Sequence, residues 1–411
     1  MAVLTAFKSL SGVARKNDEV GGFCHTENGG RKLSETISLL RELISIDSVN
    51  PSLVSGAAGE ENVAQAVAAH MRASGLDVVI EDVAPGRQNV VGVLEGPSRG
   101  RSLMFCGHSD TVGVEGMDAP FDPVERDGKM FGRGSGDMKG GVAAMLAAAR
   151  TLANEGWDKG RLLVAAVVDE EYMSIGAEAL VKGWSADAAV ITEPTGLKVA
   201  IGHKGFSWIE IVTEGRAAHG SRPAEGRDAI MRMGRVLQRL EQLARTFVER
   251  TPHPVLGTAS LHASIINGGR ELSTYPEKCV LQLERRNISG EGPEVAMREV
   301  EEILNALRRE DGEFVARARL MFDRAPYETP AEHELPQRLE TAVKSTGHDT
   351  CREGMTYWTD AAILGQAGIP TVVFGPGGEG FHAREEFVFI DHVEACRDAL
   401  VLTARNFCGQ S

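Results

Sequence analysis

The chain has 411 residues, 42% of them hydrophobic and 25% charged, with a formal net charge of −14. That length exceeds one ordinary core and predicts two or three domains, while the acidity excludes a nucleic-acid partner, which needs clustered Lys and Arg. No stretch approaches the roughly 20 apolar residues of a membrane span, so no membrane partner is expected.

Residues 1–33 have neither an apolar core nor a clear period and are interrupted by Gly21, Gly22, Gly29 and Gly30. They are expected to be an N-terminal extension, disordered or loosely docked. From Ser34 the pattern turns helical, with Ile37, Leu39, Leu40, Leu43 and Ile44 on one face; a second amphipathic helix carries Val63, Ala66, Val67 and Met71. His70 rides beside that second stripe with no acidic or histidine neighbour in register, and reads as a packing or surface residue. Strands are predicted near 76–83 and 90–94. The continuous apolar runs 103–106, 162–168, 188–191 and 371–374 read as strands buried on both faces of a parallel sheet. An alanine-rich helix fits 139–152.

Beyond residue 204 the character changes. Alternating strands at 206–213 and 279–285, helices at 228–250 and 295–309, and a strand at 314–321 predict a separate α+β module with one polar sheet face. Helices at 332–344 and 359–367 lead back to the first sheet. The expected fold is α/β: a mostly parallel sheet flanked by helices over 34–204 and 324–411, interrupted by an inserted α+β domain over 205–323. The six cysteines (Cys24, Cys106, Cys279, Cys351, Cys396 and Cys408) show no C-x-x-C pair, and no secretory signal is seen at the start. They are expected to be reduced thiols of a cytoplasmic protein, with Cys106 a small buried hydrophobe.

The apolar runs end in residues of metal-ligand type. The first gives way to Gly107, His108, Ser109 and Asp110, the second to Asp169, Glu170 and Glu171, the third to Thr192 and Glu193; the fourth runs through glycines to His382. Parallel sheets bind ligands beyond the carboxyl ends of their strands, so these side chains would converge on one crevice and form a metal site. Asp110 is close enough to His108 to fix which imidazole nitrogen faces a metal. Adjacent Glu170 and Glu171 would repel unless a cation or proton intervened; one can bind metal while the other serves as general base. Asp137, in the glycine-rich segment 132–141 just before the alanine-rich helix, reads equally as a helix cap or as a ligand. That segment lacks the spacing of a phosphate loop. Glu193 and His382 taken singly are surface loop residues, and only the combination makes them ligands.

In combination the motifs resemble one family. Gly107-His108-Ser109-Asp110-Thr111-Val112, Pro120-Phe121 to Asp127-Gly128, Gly132-Arg133-Gly134 to Asp137-Met138-Lys139-Gly140, Glu170-Glu171, Thr192-Glu193-Pro194 and Gly380 to His382-Ala383 are similar to the acetylornithine deacetylase, succinyl-diaminopimelate desuccinylase, aminoacylase and glutamate carboxypeptidase family. The resemblance runs from about residue 34 to the C-terminus. It implies that Asp137 bridges two divalent metals, that His108 and Glu193 complete one shell, and that Glu171 and His382 complete the other. Glu170 would be the general acid/base and Asp110 the orienter of His108. Mixed nitrogen and oxygen donors suit zinc best, and cobalt or manganese would also fit.

Gly215-Arg216-Ala217-Ala218-His219-Gly220-Ser221-Arg222-Pro223 resembles the family's lid motif, which makes the inserted domain a lid and dimerisation domain. It implies a homodimer in which His219 reaches the partner's site and stabilises the oxyanion. Arg286 matches an arginine that pairs with a substrate carboxylate, and Gly377 and Gly378 of the glycine loop would also touch substrate. Ser273 stands where many members carry a substrate-binding asparagine, and Glu284 and Ser289 replace the usual aspartate and proline. The expected activity is hydrolysis of the C–N bond of an N-acyl amino acid or similar carboxylate-bearing amide by metal-activated water. The alternatives are an exopeptidase or dipeptidase, a hydrolytic deaminase of an unusual amine, and a non-catalytic, metal-binding dimeric scaffold.

Overall fold

The structure is a computed structural model that describes residues 34–409; the extension 1–33, with Cys24, lies outside the described residues. Helices Glu35–Ser45 and Glu61–Ala73 form on the expected apolar stripes, and the Ser34 hydroxyl caps the first by accepting from the Ile37 N–H. His70 pairs with Glu42 (3.0 Å) on their surface, away from the strand ends.

A nine-stranded sheet forms the first layer. Its centre is four parallel strands in the spatial order Lys159–Val167, Ser98–His108, Ala188–Ile191 and Thr371–Val373. Antiparallel strands extend both edges: Arg87–Glu95 and Asp77–Ala84 on one side, Val199–His203 and Tyr327–Glu328 on the other. Alternate side chains of one strand enter different cores. Leu103 and Phe105 pack beneath helices Gly140–Glu155 and Ile390–Cys408, while Met104 and Cys106 face helices Ile175–Gly183 and Ala361–Gln366. Burial on both faces is why these strands are apolar throughout, and truncating Phe105 to Ala would cost about 3–5 kcal/mol. The five described cysteines are all free, and Cys106 is a buried core residue.

The second sheet is wholly antiparallel, in the order Ser260–Gly268, Lys278–Asn287, Gly205–Glu214 and Val315–Arg324. Helices Ala229–Phe247 and Pro293–Glu310 cover one face with a core of their own. The Asp228 side chain caps the first of these by accepting from the Met231 N–H at 2.9 Å. The sequence predicts three strands here and the structure has four. Ser260–Gly268 is an edge strand, bulged between Ala263 and Ile265 and exposed along nearly its whole length, so no burial alternation marks it.

A small third sheet, Gly378–Glu379, Phe387–Phe389, Lys129–Phe131 and Val124–Arg126, brings the two ends of the chain's glycine-rich segments together. It places the loop 380–386 over the turn that precedes helix Gly140–Glu155.

Candidate metal centre and active site

Three of the four parallel strands deliver the residues at their ends to the same crevice. His108 ends the strand Ser98–His108, Glu170 and Glu171 follow Lys159–Val167, and Glu193 follows Ala188–Ile191. Helix Gly140–Glu155 can approach them because Gly141 has no side chain: a Cβ there would lie 1.8 Å from the Thr192 carbonyl oxygen. Asp137 lies in the turn just ahead of that helix, in non-helical backbone, and does not cap it. His382 comes from the loop 380–386 with φ 61°, a left-handed conformation that costs energy for any residue with a side chain.

The two oxygens of Asp137 face two different imidazoles. Oδ1 lies 3.2 Å from His108 Nε2, and Oδ2 lies 3.2 Å from His382 Nε2. Glu193 Oε1 is 3.5 Å from His108 Nε2, and Glu171 Oε2 is 3.1 Å from His382 Nε2. The ligand atoms of His108, Asp137 and Glu193 all lie within 4.8 Å of one another, as do those of Asp137, Glu171 and His382. Two ligand groups thus share one carboxylate. Glu170 belongs to neither, although its Oε2 is 3.9 Å from His108 Nε2.

The electrostatics of this crevice call for cations. Burial, together with the Glu193 charge, holds Glu170 well above the usual carboxylate range, and burial with the Asp137 charge pushes Glu171 up to about 7. Burial also raises Glu193 strongly. For His108, burial opposes protonation, but the surrounding carboxylates of Glu193, Asp110, Asp137 and Glu170 outweigh it and lift the imidazole well above its ordinary value. Hydrogen bonds to Asp137 and Glu171 raise His382 to about 10. Glu171 Oε1 is buried with no hydrogen-bond partner. An orphaned carboxylate oxygen among crowded acids, beside imidazole nitrogens aimed inward, is a donor set suited to divalent metal.

Asp110 is a hub with more partners than His108 alone. His108 Nδ1 lies 2.9 Å from the main-chain oxygen of Asp110 and 3.5 Å from its carboxylate. The carboxylate also accepts from the backbone N–H groups of Glu170 and Glu171 (both 3.2 Å) and from Asn50 Nδ2 at 2.7 Å. Asn50 also donates to Asp169, which Arg87 holds through Nη1 at 2.7 Å. Asp169, at φ 68°, thereby sets the backbone from which both glutamates project.

A second clamp holds Asp137, the residue common to both groups. Glu386, buried to 1% exposure, accepts from the N–H groups of Gly134, Gly136 and Asp137 at 2.9–3.0 Å and from Arg133 Nη1 at 2.6 Å. Arg133 also donates to the Ala383 carbonyl, so one buried pair ties the Asp137 turn to the His382 loop. Neither Glu386 nor Asn50 carries a periodic or strand-end signal in the sequence.

A cavity of about 380 Å³ opens from this cluster toward the second sheet, and Arg286 and Tyr357 line it. His219, Ser273, Gly377 and Gly378 do not. His219 is exposed, with Nδ1 2.7 Å from Ser221 Oγ, and the carbonyl of Ser273, in a neighbouring surface loop, accepts from the Gly220 N–H. The Gly377 N–H donates to His392 Nδ1 at 3.1 Å.

The profile of peptidase family M20/M25/M40 matches residues 104–406. The acetylornithine deacetylase of Myxococcus xanthus is 31% identical over 80% of this chain and 87% of its own length. That of Vibrio vulnificus is 29% identical over 92% of this chain and all of its own. Among solved structures, a tripeptidase from Staphylococcus aureus superposes with a TM-score of 0.76 at 20% identity, covering 91% of this chain and 98% of the other. A dinuclear metal-binding peptidase from Bacillus subtilis superposes at 0.70 and 14% identity, covering 92% and 98%. At those identities the structural likeness speaks for the fold alone.

Proposed function

This chain belongs to peptidase family M20/M25/M40, metal-dependent hydrolases of C–N amide bonds, and from that premise we propose that it deacylates an N-acylated amino acid. The observation that carries the reading is the pair of ligand groups sharing Asp137, with Glu170 beside them and in neither. His108, Asp137 and Glu193 would hold one divalent ion, and Asp137, Glu171 and His382 a second, with zinc the best match to these donors and cobalt or manganese acceptable. When bound, such ions supply Lewis acidity that acidifies a water and polarises an amide carbonyl.

The chain's own groups do the rest. Glu170 takes the proton of the attacking water as the new C–O bond forms, and returns it to the leaving nitrogen as the C–N bond breaks. Asp110 fixes the backbone of Glu170 and Glu171, and Arg286 pairs with the substrate carboxylate. A non-catalytic scaffold would have no use for a buried carboxylate held outside both ligand groups.

Residues 205–323 act in this reading as a lid and dimerisation domain. The edge strand Ser260–Gly268, with Ile265 and Ile266 about half exposed, offers unpaired backbone to a second copy of the chain. His219 would then act across the dimer, since in its own chain it does not line the cavity. The free thiols fit a reducing, cytoplasmic setting, and no described helix is long and apolar enough to cross a membrane. The test is a panel of N-acetyl amino acids and dipeptides with the zinc, cobalt or manganese protein, monitoring freed amine. Hydrolysis of the acylated amino acids, abolished by a chelator, is expected. Cleavage of dipeptides alone would replace deacylase with dipeptidase, and release of ammonia alone would indicate a deaminase.

A further inference from the structure

The cavity beside the metal centre is walled by aromatic rings in a chain that has few of them. Two of its four tryptophans, Trp208 and Trp358, and two of its four tyrosines, Tyr172 and Tyr357, line this one space. The second sheet supplies the wall in two cross-strand rows. In one, Phe206 stands opposite Arg286 on one neighbouring strand and Arg324 on the other; in the next, Trp208 stands opposite Glu284 and Phe322. Residues two apart on a strand share a face, so both rows present to the same side. The rings touch: Phe206 is 5.2 Å from Trp208, and Trp208 is 5.6 Å from Phe322, centroid to centroid. Phe206 also meets Trp358 of the first domain edge to face at 6.2 Å.

Glu284 fixes the wall and the charge beside it. Its Oε2 accepts from Trp208 Nε1 at 2.9 Å and its Oε1 from Arg286 Nε at 2.6 Å. Among the described residues the two Nη groups of Arg286 have no hydrogen-bond partner, so the outer edge of the guanidinium is open to a carboxylate. Arg286 Cζ lies 5.4 Å from the Phe206 ring centre, so the site for an anion and the site for a flat apolar group adjoin.

The same cavity is a poor host for a cationic side chain. Its acidic lining residues, Asp137, Glu170, Glu171 and Glu193, all belong to the metal centre. Elsewhere a cation would meet Arg286 and Arg324, and two of the lining rings already carry an arginine: Arg286 over Phe206, and Arg324 over Trp358 at 5.4 Å.

Resting on the deacylase reading above, we propose that the substrate is an N-acylated aromatic α-amino acid, its carboxylate on Arg286 and its ring against Trp208, Phe206 and Trp358. These rings, with Glu284 as the residue that positions Trp208 and Arg286, set specificity. The test compares kcat/KM of the zinc-loaded enzyme for N-acetyl-L-phenylalanine and N-acetyl-L-tryptophan with that for N-acetyl-L-ornithine and N-acetyl-L-alanine. Preference for the aromatic pair by about tenfold or more is expected, with Trp208→Ala shrinking that ratio toward one and Arg286→Met lowering all four substrates while leaving the ratio in place. Equal or better turnover of the ornithine derivative would overturn the inference and leave the deacylase reading standing, as would a Trp208→Ala enzyme with the wild-type ratio. If no acyl amino acid is hydrolysed, the deacylase reading fails, and calorimetry with L-phenylalanine and L-ornithine still decides the pocket's preference: tighter phenylalanine supports it and tighter or equal ornithine refutes it.

Discussion

The strand-end centre and the surface loops of the proposed lid are built to opposite rules. At the centre, buried Asp110, Asp169 and Glu386 each hold two or more neighbours, and every proposed ligand comes from the end of a buried strand or from one of the two segments that Glu386 and Arg133 clamp together. His219 and Ser273 are exposed; the His219 side chain meets Ser221 of its own loop, and backbone bonds such as that from the Gly220 N–H to the Ser273 carbonyl join the two loops. The difference teaches that the proposed centre is held in place within one chain, whereas the proposed lid loop reaches it only if a second copy brings that loop across.

The sharpest way to break this contrast is at its buried side. Glu170→Gln should keep the metal content and lose about a thousandfold in kcat, because proton transfer is removed while both ligand groups remain. A variant with normal metal and near-normal kcat would take the general base away from Glu170.

Acid stability probes the joint between the two regions. His203 is fully buried between the Tyr327 and Trp358 rings, and burial pulls its imidazole down to about 4. Between that value and the ordinary 6.5 the unfolded chain binds a proton that the folded chain refuses, so stability rises with pH across this window and falls as the pH drops through it. The full loss below pH 4 would be about 3 kcal/mol. Urea titrations at pH 7 and 4.5 should show a loss that is smaller in His203→Gln; an identical loss in both proteins would clear His203 of the effect.

On the lid side, His219→Ala should lower kcat about 100-fold without changing metal content, as loss of one oxyanion donor does. An unchanged rate would confine His219 to the surface. Mixing His219→Ala with Glu170→Gln chains should restore activity if the histidine acts across a dimer, and no recovery would place it elsewhere. The mildest expected effect is Glu386→Gln, which keeps the side-chain size but removes charge from the Asp137 clamp and turns one of its two acceptors into a donor, and should weaken metal binding about tenfold. Unaltered affinity would make Glu386 a fold residue only.

Much of the centre was legible because burial on both faces leaves a continuous apolar run, and its abrupt end in an acid or histidine is visible without a structure. Asp137 needed the resemblance, since an aspartate before a helix is as readily a cap, and the structure shows it capping nothing. Glu386 was invisible because its partners, Gly134 to Asp137, are about 250 positions away and meet it only through loop contact. The edge strand Ser260–Gly268 was missed because an exposed, bulged strand has no alternation to read. The aromatic wall escaped for a related reason: Phe206, Trp208 and Phe322 look like ordinary strand residues until cross-strand register sets them side by side.

The claim on which everything turns is that Asp137 joins two metal positions. Counting zinc per chain by mass spectrometry in the reconstituted wild-type and Asp137→Ala proteins tests it most directly. Two ions per chain in the wild type and fewer than one in the variant is the predicted result. One ion in the wild type, or two retained without Asp137, would contradict it.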